Sequence, residues 1–190
     1  AWLPLWGLAG STTLFLAQTA LWAFVERMGV NAKFSAEFIG VALGVSTLVS
    51  VAAALGVGWL TLIISRFWIM LVAALGELGC LFVLIDDFSA TTYFVSVVVF
   101  QICWNAWVPI QMANIAAVDT SGRFTVVIGL FQAIGVAIGP VLVSHFLTGT
   151  GFLPVNITGA IFVIITVLLF APIAFQRGSI QEASFEPSYS

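Results

Sequence analysis

The sequence predicts an all-α, polytopic membrane protein with six transmembrane helices, and three observations predict it. Hydrophobic residues make up 62% of the 190 residues and charged residues only 7%, too few charges to cover a water-exposed domain. Mean hydropathy is +1.19, so the natural solvent of most side chains is lipid. The apolar residues fall in six continuous runs, each of the ~20 residues that a helix needs to cross hydrocarbon. Runs this long and unbroken do not read as the alternating strands of a membrane barrel.

The segments are expected near residues 2–25, 37–64, 67–86, 92–116, 124–147 and 154–175 of a transmembrane domain spanning 1–176, with a polar, disordered tail at 177–190. The chain opens at Ala1 with Trp2 already in an apolar segment, which suggests a fragment of a longer protein. In the first segment Ser11, Gln18 and Trp22 recur at helical spacing and share a face, and Glu26 lies at its exit into a loop with Arg27, Lys33 and Glu37. The second segment carries Gly40 and Gly44, a GxxxG pair that admits a close neighbouring backbone. The third holds Glu77 roughly halfway across, at ~1.5 Å rise per residue, and ends at Asp86-Asp87. The fourth places Gln101, Trp104, Asn105, Gln111 and Met112 on one face, Trp107 and Asn114 on another, and Pro109 in its backbone ladder. The fifth carries Gln132, with Gly135 and Gly139 as a second GxxxG, and the sixth is nearly featureless before Pro172.

Segments two and five are the glycine-rich members of their triplets, and three and six are the least polar apart from Glu77; a three-plus-three repeat would produce this pattern. An even number of crossings puts both termini on one side of the membrane. That side carries Arg66, Arg123 and Arg177 against Arg27 and Lys33 on the other, so the positive-inside rule predicts cytoplasmic termini. The net charge of −3 is scattered, with no basic footprint for nucleic acid. Cys80 and Cys103 lie inside apolar segments with no CxxC or Cys/His cluster near them, which suggests neither a disulfide nor a metal site.

Amides are costly in hydrocarbon and need a reason. Gln18, Gln101, Asn105 and Gln132 could bond a solute, with Trp22 and Trp104 as walls of its cavity, or the amides could bond between helices and the tryptophans anchor at the interface. Glu77 could carry a proton, or sit neutral and bonded to a neighbouring helix; Glu26 could gate a cavity or cap a solvated helix end. A different chemistry also has its residues: Gly44-Val45-Ser46 and His145 resemble the serine and histidine of rhomboid-type intramembrane proteases, although Thr47 follows the serine where that family has a small residue. A six-helix scaffold without transport or catalysis is a third reading.

Three stretches carry a broader resemblance: LWAFVERMG (21–29) closing the first helix, SRF (65–67) in the second connection, and DTSGRFTVVIGLFQAIGVAIGP (119–140). With them, nearly the whole chain resembles the C-terminal six-helix half of a major facilitator superfamily transporter. The loop TLIISRFWI departs from that family's pattern by keeping only Arg66. The resemblance implies a permease in which the first, second, fourth and fifth helices line a central cavity and the third and sixth face lipid. It also implies secondary active transport of a small solute by alternating access, completed by an N-terminal half of the same chain, in a plasma (bacterial inner) membrane. No cofactor is expected, and no GxxxxGK[ST] signature for ATP is present.

Overall fold

The computed structural model describes residues 2–85, 87–147 and 151–183, with side chains through Ala174. Six helices follow in order: α1 (Leu3–Asn31), α2 (Ala36–Leu60), α3 (Arg66–Val83), α4 (Ala90–Val118), α5 (Arg123–Phe146) and α6 (Leu153–Ala183). All six are long and apolar enough to cross a membrane, and no strand occurs among the described residues. The chain is therefore an all-α integral membrane protein.

Several helix ends follow local chemistry. Ser35 and Ser89 accept hydrogen bonds from the backbone N–H of Phe38 (3.2 Å) and Thr92 (3.1 Å), capping α2 and α4. Gly122 takes φ 70° to turn the chain into α5, and Lys33 takes φ 65° at the corresponding place before α2. Glu26 and Arg27 belong to the last turns of α1, and Glu37 to the first turn of α2, so of the four charges expected in this loop only Lys33 lies in it. At the other end, α6 continues to Ala183, into the stretch expected as tail; residues 184–190, like Asp86, lie outside the described residues.

α1 is the most deeply buried helix, and α2 and α5 are the least. α1 packs chiefly on α5 and α6, α4 packs chiefly on α2 and α3, and the most extensive of the contacts that join the two sets are α3 with α6 and α1 with α4. Exchanging α1–α3 with α4–α6 maps these main contacts onto themselves, although the α6 backbone also comes close to α4 and α5 while the α3 backbone approaches neither α1 nor α2 in the same way. Two of the three length pairs agree as well: α1 and α4 both have 29 residues, and α2 has 25 against 24 for α5, while α3 has 18 and α6 has 31. Among the buried residues, Ile39, Ser46 and Ser50 on α2 share their spacing with Ile128, Gly135 and Gly139 on α5, while Ala42, Val57 and Val143 have no counterpart. Gly7 lies against Ile115 and Val25 against Tyr93, so α1 and α4 run antiparallel and the second three-helix unit is inverted relative to the first.

In lipid the apolar faces gain nothing from being hidden, so close packing and interhelical hydrogen bonds hold the bundle. A Cβ at Gly139 would lie 2.7 Å from the Leu16 carbonyl, and one at Gly135 would meet the Thr12 carbonyl, so the second GxxxG brings two backbones into contact. Thr12 Oγ1 donates to the Phe131 carbonyl across this joint (3.1 Å). The first GxxxG behaves differently. Nothing lies within 4 Å of a Cβ at Gly40 or Gly44, so this pair faces outward and packs on no helix of this chain. Nor are α3 and α6 the freest helices; both pack on the α1/α4 centre, while α2 and α5 keep the most open surface.

Candidate functional site

The polar and aromatic residues of α1 and α4 divide into an open face and a closed joint. On α1, Phe15, Gln18 and Trp22 recur at intervals of three and four, and of these the two aromatic rings turn to the open face while Gln18 is buried. Trp104 of α4 meets the first and last of them edge-on, with ring centroids 6.2 Å from Phe15 and 6.1 Å from Trp22, and also touches Phe100 at 6.2 Å. All but Phe100 are only partly buried, so their rings form an aromatic wall with a free surface.

The residue after Trp104 on α4 is Asn105, half-buried, whose Nδ2 donates to the Gln101 carbonyl one turn back (3.0 Å). Pro109 has no N–H to offer the carbonyl four residues before it, so the Asn105 carbonyl loses its helical donor. The Asn105 backbone carbonyl is thus an acceptor without a helical donor, on the residue next to Trp104. Gln101 itself is buried, with Oε1 left without a partner, and Gln132 on α5 is half-buried with Nε2 likewise unpartnered. Aromatic surface flanked by unsatisfied amide groups can hold a small solute that both stacks and hydrogen-bonds.

Gln18 does not belong to that open face. It is 0% exposed, and its Nε2 donates to Oε1 of Glu77 at 2.6 Å, joining α1 to α3 at mid-bundle. Glu77 is equally buried, so of the two carboxylate candidates it sits in a helix–helix joint. Glu26 is exposed and lines a cleft of about 740 Å³ with Arg27, Asn31, Ser144 and Phe152, at the bundle end away from the termini. The Arg27 guanidinium beside it lies 5.8 Å from the centre of the Phe24 ring.

The orientation of α4 needs one correction. Trp107 and Asn114 do take another face, fully packed: Trp107 against Phe170 at 6.3 Å, and Asn114 with Nδ2 3.1 Å from the Met70 sulfur. Gln111 is buried as Gln101 is, while Met112, expected beside both, is exposed, because consecutive residues on a helix diverge by about 100°. The serine protease pair is not assembled. Ser46 is buried on α2, donating to the Leu43 carbonyl (2.8 Å), while His145 is exposed in the last turn of α5, and these two helices make no contact. No cluster of metal-ligating side chains occurs among the described residues.

Sequence reasoning missed Phe15, whose place in the aromatic wall is signalled only by its spacing from Gln18 and Trp22. It also missed the fold-back at Asp119 between α4 and α5. Asp119 accepts from the Thr125 N–H and hydroxyl (both 2.8 Å) and from the Ser121 N–H (3.1 Å) and hydroxyl (2.9 Å). Desolvation, the largest single influence, works against the charge of this carboxylate, but the four donors together outweigh it and bring its pKa down to about 2.

Comparison with family models, with curated proteins and with solved structures gave no match.

Proposed function

We propose that this chain is one six-helix half of a secondary transporter of the major facilitator type, moving a small solute by alternating access. The observation that carries the reading is the inverted three-plus-three packing, with α1 and α4 at its centre presenting Trp22, Trp104 and Asn105 on a partly open face. α2 and α5 flank that centre and keep the most free surface, which gives a second half somewhere to pack and a cavity somewhere to form. The outward glycines of α2 suit close approach by such a partner. Basic residues at the ends of the bundle favour cytoplasmic termini in a plasma membrane, bacterial inner membrane included.

The test begins with the complete reading frame that contains these residues. A second six-helix unit preceding Ala1, and uptake of labelled small solutes by cells expressing the whole protein, are the expected results. Asn105→Ala should lower that uptake without lowering the amount of protein in the membrane. A complete protein with no second unit, or uptake indifferent to Asn105 and Trp104, would overturn the reading.

A further inference from the structure

The contact between Gln18 and Glu77 has an unusual balance of donors and acceptors. One hydrogen bond joins them, from Gln18 Nε2 to Glu77 Oε1. The two remaining atoms, Gln18 Oε1 and Glu77 Oε2, are both buried and both lack a partner. Both are acceptors when the carboxyl is ionised, so they cannot satisfy each other. One proton on Glu77 changes that: a carboxylic acid and a primary amide are complementary and close a ring of two hydrogen bonds, N–H to the acid carbonyl and acid O–H to the amide oxygen. The 2.6 Å separation is short for an amide donor and ordinary for O–H···O. Exchanging the two ends of the amide would place an acid O–H in this bond, and that arrangement requires the same single proton.

Among the described residues the second carboxylate oxygen has no hydrogen-bond partner, and no cation lies on the neighbouring helices at its level. α4 carries no charged residue between Ala90 and Val118, and α6 none between Leu153 and Ala174. On α1 the charges are Glu26 and Arg27, exposed and two turns beyond Gln18. On α3 the other charge is Arg66 at the first residue, about 16 Å along the helix at ~1.5 Å per residue, bonded to the Ala113 carbonyl. The titratable groups facing Glu77 are the thiols of Cys80 on α3 and Cys103 on α4, both buried. A Cβ on Gly76 would lie 2.7 Å from the Cys103 sulfur, which shows how closely α4 covers this side.

We propose that Gln18 and Glu77 form a proton-binding site between α1 and α3, in which Glu77 is held as the neutral acid and its proton closes a two-bond pair with the Gln18 amide. Resting on the transport reading, the pair also links proton binding to helix movement. Separating α1 from α3 breaks both bonds and admits water, the Glu77 O–H proton passes to that water, and re-formation of the contact takes one proton back. A proton gradient could then drive the change between the two arrangements.

The experiment is infrared difference spectroscopy of the purified complete protein in lipid, wild type against E77Q, at neutral pH. The expected result is a carboxylic-acid C=O band that E77Q removes and that shifts in D2O; loss of carboxylate bands instead would overturn the proposal. The Q18L variant keeps the carboxyl and gives an independent reading. Its acid band should move to higher frequency on losing the amide partner, and an unmoved band would overturn the pairing even if E77Q fails to accumulate. These readouts do not depend on transport, so they stand or fall apart from the transporter reading. For the coupling, E77Q should retain solute counterflow and lose accumulation driven by a pH gradient; accumulation that survives E77Q would overturn it.

Discussion

Asn105 and Trp107 are two residues apart on α4 and face opposite fates. Asn105 is half-buried, and its side chain bonds only a carbonyl of its own helix, so Asn105→Ala should cost no more than about 0.5–1.5 kcal/mol of stability. Trp107 is 0% exposed and packed on Phe170, and Trp107→Ala should cost about 3–5 kcal/mol. Thermal melts in detergent should therefore show a large loss for Trp107→Ala and a small one for Asn105→Ala, while solute uptake by the complete protein should fall in the Asn105 variant at unchanged protein level. Asp119 gives a second prediction at this scale. Its folded pKa of about 2 lies below its ordinary 3.8, so its bonds stabilise the start of α5 fully above about pH 4 and are lost as pH falls through about 2. The Thr125 amide resonance should titrate with a midpoint near 2, and Asp119→Ala should abolish that titration and fray the first turn of α5. The aromatic–amide face was legible in part: Trp22, Trp104 and Asn105 declared themselves by type and spacing. Gln18 and Gln111 did not, because which side of a buried amide meets a partner depends on helix rotation, and a segment apolar nearly all round does not record it.

The two GxxxG pairs separate what an element's sequence says from what its neighbours decide. Both read alike, yet Gly135 and Gly139 lie against the α1 backbone while Gly40 and Gly44 meet nothing. Gly139→Ala would drive its Cβ into Thr19 and Leu16 and should destabilise the chain by about 1–3 kcal/mol. Gly44→Ala should be tolerated or raise helix stability by about 0.5–1 kcal/mol. Melting temperature of the six-helix chain by itself measures both; equal losses from the two substitutions would mean that α2 is buried as α5 is. The same contrast explains the reading of α3 and α6 as peripheral. Their sequences hold few polar residues, but Glu77, Asn156 (2.9 Å to the Leu84 carbonyl) and Thr166 (2.9 Å to the Thr13 hydroxyl) each bond a neighbouring helix, and one such bond suffices to fix a face in lipid.

For the whole molecule, six crossings were legible from run length alone, since a bilayer sets one requirement that composition either meets or fails. The inverted arrangement was less so: it lies in which helices touch, and the two halves share little beyond the lengths of two helix pairs and the spacing of some buried residues on α2 and α5. Six crossings fix a topology that labelling can test. Lys33, between α1 and α2, and Ser121, between α4 and α5, are exposed on opposite sides of the membrane, and the native thiols Cys80 and Cys103 are buried, so their background should be low. With cytoplasmic termini, Lys33→Cys should react with a membrane-impermeant maleimide in intact cells, and Ser121→Cys only after permeabilisation. The opposite pattern would keep the six crossings but invert the chain, moving the Arg66 and Arg123 end to the outside against the positive-inside rule. Equal labelling of both positions from outside would mean that an odd number of segments fails to cross between them, and the pairing of α1–α3 with α4–α6 as inverted units would then fail with it.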